Sequence, residues 1–408
     1  MSACDPTGAG HRGFGRLVAA SAISNVGDGV FLVGLPLLAA DLTRDPTAIA
    51  GVLLAMRLPW LMCSLIAGAV ADRVDRKHLI WRTDIVRALV VATLATAAAL
   101  DGTSIPLLYI LAVTLGVAET FRDNAAQVIV PTLVPPSQLE SANGRLASLE
   151  TITNRFVGPP LGGFLAAAAI ALPFAFDAVT FVVAAILVVT IPGTFRSARH
   201  DPSAGLLSGI GTGLSWLWNH TQLRTLALLL GALTCLSTAG EAILVLYAQD
   251  ILRVDKLGYG LLISVSAIGA VVSGVTTARL VSRLGRATVL ITAALCYGIA
   301  QLGLGLATTP WLFGPIMAAG AFSAVAWNVV TVSLRQTLVP DELLGRVNSA
   351  YRFFGWGTMP LGALLGGALA NTTNLHAPFV IGGALMIAAT IATAPYLTQH
   401  MPPTNETN

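Results

Sequence analysis

The chain alternates between long apolar runs and short polar turns. Each run has about 20 residues or more, enough for a helix to cross about 30 Å of hydrocarbon. The pattern predicts twelve such helices, at 14–40, 47–71, 79–100, 105–129, 144–170, 173–193, 222–248, 259–282, 287–307, 311–336, 347–370 and 376–397. The runs are far too long for barrel strands, so the fold class is an all-α polytopic membrane protein. The first run reads as a span and not as a cleaved leader. It is longer than a leader's apolar region and holds Asp28.

Composition agrees. The 408 residues are 55% hydrophobic and 11% charged, where a soluble domain carries about 25% charged residues. With the N-terminus inside, Arg44, Arg253 and Lys256 fall in outer loops and Arg57 and Arg155 lie within spans. The rest of the 23 Lys and Arg sit at or near the inner face. The positive-inside rule then puts both termini in the cytoplasm of a multi-pass cell-membrane protein. The net charge of +3 says nothing for nucleic acid, because the basic residues belong to loops between spans. Cys4, Cys63, Cys235 and Cys296 form no CxxC pair and read as small apolar residues. No metal site and no cofactor are expected, and the chain is expected to act as a monomer.

The sequence repeats itself. TLVPPSQLESAN at 132–143 returns as TLVPDELLGRVN at 337–348, and PLG at 160–162 as PLG at 360–362. The charged turn ADRVDRKHLI at 71–80 has a weaker echo in SRLGRATVLI at 281–290. The expected organisation is a six-helix bundle over 1–193, a central cytoplasmic linker over 194–221 and a second six-helix bundle over 222–408. Duplicated halves of this kind are a transporter architecture, because two bundles can rock about a site near the midplane.

The turn GAVADRVDRK, with Gly68, Asp72, Arg73, Arg76 and Lys77, resembles motif A of the major facilitator superfamily. Asp75 stands where that motif has a second glycine. VGPPLGG, with Gly158, Pro159, Gly162 and Gly163, resembles motif C of the exporter branch. The stretch 327–367 is similar to twelve-span multidrug, macrolide and siderophore exporters. The resemblance implies that motif A latches the cytoplasmic side, with Asp72 near the start of span 11 and Arg76 paired to an acid of span 4, for which Asp123 is the candidate. It implies that the motif C segment seals the cytoplasmic leak path. Asp75 is expected to pair locally with Lys77 or Arg73.

Ionisable groups inside a bilayer cost about 2.5–3.5 kcal/mol and mark function by default. Asp28, Glu119 and Glu241 are the candidates for proton coupling or substrate contact, with Asn25, Arg57 and Asn328 beside them; Glu150 belongs nearer the inner gate. Ser21, Asn25 and Asp28 make one polar stripe on span 1. Asp28 either works as a carrier or pairs with Arg57. Glu119 can pair with Arg122 one turn on, Asp84 and Arg87 read as a pair at the cytoplasmic end of span 3, and Glu241 reads as an unpaired buried acid. The expected activity is alternating-access export of a small amphipathic molecule in exchange for protons, within the lipid bilayer and without enzymatic turnover. A proton-coupled uptake symporter of the same fold is the alternative. A prenyltransferase-type membrane enzyme is remote, because Asp72 and Asp75 are flanked by cations and no second acid-rich loop exists to hold metal.

Overall fold

The computed structural model describes residues 9–135, 138–193, 195 and 206–400. The surroundings of a few residues inside these ranges also lie outside the described set, among them Gly68, Asp72 and Arg73, on which the motif A reading partly rests. The described residues hold sixteen α-helices and no strand. They are α1 Ala9–Leu42, α2 Pro46–Arg73, α3 Arg76–Ala99, α4 Ile105–Leu133, α5 Leu139–Glu150, α6 Gly158–Ala168, α7 Leu172–Val189, α8 Leu206–Asn219, α9 Thr221–Glu241, α10 Leu244–Leu246, α11 Lys256–Leu284, α12 Arg286–Leu306, α13 Pro310–Leu338, α14 Asp341–Gly357, α15 Met359–Thr372 and α16 Ala377–His400.

Among the described residues, ten helical stretches are long and apolar enough to cross a membrane. The two further expected spans correspond to α3 and to the broken segment α5–α6. Both carry charge inside the run: Arg82, Asp84 and Arg87 in α3, Arg145 and Glu150 in α5. The expected linker 194–221 contains α8; its residues 194 and 196–205 lie outside the described residues.

The expected span 5 is not one regular helix. Between α5 and α6 runs a π-helical stretch, Thr151–Val157, in which the Gly158 amide bonds to the Thr153 carbonyl. The two prolines that follow explain it. Pro159 and Pro160 lack N–H groups, so the α-ladder leaves carbonyls one turn earlier without donors. The Phe156 carbonyl, opposite Pro160, instead accepts from Ser264 Oγ at 3.3 Å. A second π-helical stretch, Tyr247–Ile251, follows the break after Glu241.

The chain forms two compact units. The first takes Met1–Thr43, Ala55–Asp201 and Asp255–Ser264; the second takes Arg44–Leu54, Pro202–Val254 and Val265–Asn408. In the first, α1 and α3 both pack on α7, α3 packs on α4, and α6 packs on α1. In the second, α12 packs on α13 and α16, and α9 on α15 and α16. Hydrophobic attraction between helices is weak in lipid, so small residues that allow close approach decide contacts. A Cβ on Gly162 would sit 2.7 Å from the Val30 carbonyl oxygen of α1, and one on Gly163 would sit 2.6 Å from the Lys256 carbonyl oxygen of α11. The second unit does the same with exchanged partners. A Cβ on Gly366 would strike the Ala239 backbone of α9, and one on Gly367 would sit 3.0 Å from the Pro46 carbonyl oxygen of α2.

Two ion pairs follow the same exchange. Lys256, opening α11, meets Asp41 at the end of α1, with Nζ 2.6 Å from Oδ2. Arg44, just before α2, meets Asp250 at 3.4 Å and Gln249 at 2.7 Å. The three basic residues of the outer loops thus include two that bind acids at the ends of other spans.

The charged turn has a specific local structure. Asp75 caps α3, its Oδ1 accepting from the His78 amide at 3.3 Å. Its Oδ2 accepts from the Phe195 amide at 3.0 Å, and the Arg76 amide donates to the Phe195 carbonyl at 3.2 Å. Lys77 Nζ donates to the Ile191 carbonyl at 2.9 Å, where a cation is favoured by the end of α7. Asp75 therefore pairs with His78 and the Phe195 backbone and not with Lys77; the side chain of Arg73, the other expected partner, lies outside the described residues. Burial pushes the Asp75 carboxyl up, but hydrogen bonds from the Phe195 and His78 amides and the His78 imidazole outweigh it and hold it below the usual carboxylate value.

Three substitutions test this packing and capping. Gly162→Val is expected to lower stability by about 1–3 kcal/mol through overpacking, read as a fall in thermal unfolding temperature in detergent. Gly144→Ala, with nothing within 4 Å of the added carbon, should stabilise α5 by about 0.5–1 kcal/mol. Asp75→Ala should cost about 1–2 kcal/mol at neutral pH through the lost cap. Because the folded value is depressed, that contribution is present above the unfolded value of about 3.9 and is lost as pH falls through the folded value. The gap between Asp75→Ala and the parent should therefore close on acidification; a constant gap would assign the effect to something other than the carboxylate.

Candidate functional site

The buried charges of the first unit converge on α1. Asp28 lies nineteen residues into α1 and Arg87 eleven residues into α3. At 1.5 Å per residue Arg87 is about 16 Å along its helix, well away from the end at which the sequence reading placed it. Its Nη2 donates to Asp28 Oδ1 at 2.5 Å. Asp28 thus pairs with Arg87, not with Arg57. The side chain of Arg87 is 2% exposed and that of Asp28 25%, so the carboxylate is the accessible partner. Ser24 Oγ donates to Asp28 Oδ2 at 3.5 Å. Asn25, expected on the same stripe, donates instead to the Ser21 carbonyl at 2.8 Å.

Asp84 is fully buried one turn before Arg87. Its Oδ1 accepts from Arg122 Nε of α4 at 2.7 Å and lies 3.6 Å from Arg87 Nη1. Arg122 Nη1 also lies 3.5 Å from Asp123 Oδ1. The structure therefore pairs Asp123 with Arg122 and not with Arg76, and gives Arg122 to Asp84 and Asp123 and not to Glu119. Glu119 is half-buried with Asp123, Arg87, Asp28 and Arg57 as its charged neighbours. The result is one connected network over α1, α3 and α4, which low dielectric makes strong where it is satisfied and costly where it is not.

One member was absent from the sequence reading. Asp177 of α7 is fully buried. The Thr180 hydroxyl is shared between the Asp177 carbonyl at 2.8 Å and Asp177 Oδ1 at 3.2 Å, and Oδ2 has no hydrogen-bond partner. Asp177 lies in the span of highest mean hydropathy among the ten, 2.4. A lone acid in so apolar a run was the signal available for it, by the same rule that singles out Asp28.

The other candidates are placed as follows. Gly158, Pro159, Gly162 and Gly163 are buried at close crossings of α6 with α1 and α11. In the second unit Glu241 closes α9 and is exposed, not buried as expected, and Asn328 of α13 is exposed. Arg335, three residues short of the end of α13, is buried with its guanidinium 3.9 Å from the Tyr351 ring centre. Tyr247 is committed to packing, its hydroxyl donating to the Ala307 carbonyl at 2.9 Å amid Phe313 and Phe379. Among the described residues no group of His, Cys, Asp and Glu is arranged to hold a metal ion.

Known proteins agree with this architecture. The chain is 27% identical over 382 residues to the multidrug efflux pump Tap of Mycolicibacterium fortuitum, covering 88% of this chain and 90% of that protein. It is 25% identical over 397 residues to the uncharacterized MFS-type transporter YfiS of Bacillus subtilis, covering 92% and 91%. Its fold is similar to that of the nucleoside transporter NupG, with a TM-score of 0.75 at 13% identity over 95% of this chain. The model of the transmembrane secretion effectors, MFS_3, matches residues 8–408. The chain belongs to this family of the major facilitator superfamily: it is a multi-pass membrane transporter and not an enzyme.

Proposed function

We propose that the protein exports a small amphipathic molecule by alternating access, in exchange for protons. The observation that carries the reading is the ion pair between the accessible Asp28 carboxylate and the buried Arg87 guanidinium. Protonating Asp28, or placing a cation on it, releases Arg87. An exchanger needs such a competition, because proton and substrate must not both hold the carrier in one state. Likeness to named efflux pumps supports export over uptake. We assign motif A and the motif C crossings to the inner gate. Both termini are read as cytoplasmic from the positive-inside pattern, in the cell membrane, and the carrier acts as a monomer.

The ion pairs Lys256–Asp41 and Arg44–Asp250 fit the same cycle. Their side chains are 29–57% exposed, and exposed pairs are worth about 0–1 kcal/mol each. Ties of that size hold one state and still break during transport. The driving force is adequate. One proton moving down 100 mV yields about 2.3 kcal/mol, and one pH unit adds about 1.36 kcal/mol. The sum supports a gradient of several hundredfold for a neutral substrate exchanged one for one, which is about 3.7 kcal/mol.

The test uses purified protein in liposomes, with an inside-acid pH gradient read by a trapped dye and a panel of aromatic cations and neutral drugs beginning with ethidium. At least one compound is expected to collapse the gradient, and Asp28→Asn should slow that collapse by tenfold or more. Compounds that equilibrate without moving protons would remove the coupling claim. Replacing Arg44 and Lys256 together by Ala should increase labelling, by a membrane-impermeant maleimide, of a cysteine placed next to Asp41. Unchanged labelling would show that the two ion pairs do not hold the outer ends together.

A further inference from the structure

The network leaves specific buried atoms without hydrogen-bond partners, on Arg87, on Asp177 and, at Oδ2, on Asp84. Arg87 uses Nη2 on Asp28; its Nε and Nη1 have no hydrogen-bond partner, Nη1 lying 3.6 Å from Asp84 Oδ1 on its own helix. Asp177 uses Oδ1 on Thr180, while its Oδ2 has none. Both side chains are almost fully excluded from solvent. Buried donors and acceptors without partners are costly, so unused donors on Arg87 near an unused acceptor on Asp177 point to a second arrangement.

The helices bring the two together. The Arg87 guanidinium lies 4.0 Å from the centre of the Phe181 ring. Phe181 is four residues after Asp177 on α7, so the two share a face one turn apart. Gly27 of α1 makes the approach possible: a Cβ there would collide with Asp177 Oδ1 and Thr180 Oγ1. Asp28, the residue after Gly27, is the present partner of Arg87. The charged groups facing Asp177 are Asp28 of α1, Arg87 of α3 and Glu119 of α4, with Thr180 on its own helix. Those facing Arg87 are Asp28, Glu119, Asp84 and Asp177. A planar guanidinium stacked on a ring can turn in its own plane without losing the stack.

We propose that Asp177 is the second seat of Arg87, a positioning residue that alternates with Asp28 as the guanidinium's partner. In the state seen here Arg87 holds the Asp28 carboxylate, and the Asp177 carboxyl carries the proton. When a proton from the outer side forms an O–H bond on Asp28, Arg87 turns to Asp177. The O–H bond of Asp177 breaks and its proton leaves toward the inner side. One proton is taken up and one released, and charge is conserved within the site. Thr180 steadies Asp177 by donating to the oxygen that Arg87 does not take. The inference rests on the proton-exchange reading and supplies the internal step that reading lacks.

The experiment is infrared difference spectroscopy of the full chain reconstituted in lipid, at neutral pH, with protons as the only probe. A protonated carboxyl C=O band is expected in the parent protein and should be lost in Asp177→Asn. It should also be lost in Asp28→Asn, which keeps Asp177 but frees Arg87 to ionise it. Thr180→Val, close in shape, should shift the band because one hydrogen bond to the carboxyl disappears. If Asp177→Asn does not fold, Asp28→Asn and Thr180→Val still decide the matter. A band that survives Asp28→Asn, or that stays in place in Thr180→Val, overturns the proposal. A dye assay in the same liposomes separates the two claims. Absent proton movement with the parent protein defeats proton exchange, while the spectra still report whether the two carboxyls share one arginine.

Discussion

Close approach at α1 is the constraint on which the first unit depends. Four consecutive residues, Gly27, Asp28, Gly29 and Val30, meet three different helices. Gly27 admits Asp177 and Thr180 of α7, Asp28 binds Arg87 of α3, Gly29 lies against Gly158, and the Val30 backbone lies against Gly162 of α6. Successive helical residues turn by about 100°, so a run of four presents a different side to each neighbour. Two glycines flank the acid because side chains of α7 come close on one side and the backbone around Gly158 on the other. Any larger residue would push away α6 or α7, and with α7 the Phe181 ring on which the Asp28 partner Arg87 rests.

The same economy appears twice in the chain. The glycine pair 162–163 stands 204 residues before the pair 366–367, and half of the chain's 408 residues is also 204. In each case the first glycine lies on the opening span of its repeat and the second on the start of a span from the other repeat. The outer ion pairs repeat this exchange, Lys256 with Asp41 and Arg44 with Asp250. The chemistry is not duplicated with the scaffold. The first unit concentrates acids and arginines around Asp28 and Asp84. In the second unit Arg335 is stacked on Tyr351, and Glu241 is exposed. Packing is symmetric and charge is not.

Much of this was legible from residues alone. Apolar runs, the sorting of Lys and Arg by loop and the internal repeat together specify a duplicated helical membrane transporter, because hydrocarbon forces helices to carry their own hydrogen bonds and charge to stay in the loops. The intramembrane acids Asp28 and Glu119 were visible for the same reason. The glycines of 158–163 announced a close crossing, though not with which helix. The π-helical stretch before Pro159 was not expected; two missing N–H groups account for it, and only the fold shows where the freed Phe156 carbonyl finds a donor.

Partners of charges were decided only by tertiary structure. Asp28 takes Arg87, fifty-nine residues away, and Arg122 takes Asp84, thirty-eight residues away. Periodicity puts residues on faces of their own helix but says nothing of which face meets which across the bundle, so local pairings such as Arg122 with Glu119 looked equally good. Asp75 shows the same limit: its spacing fits several neighbours in the turn, and the fold gives it the amide of Phe195, beyond the end of α7. The sequence by itself determined the class of molecule, since solvation in a membrane acts on composition and periodicity. The wiring of its buried charges was decided by the tertiary structure, since electrostatic pairing acts on distances that only packed helices define.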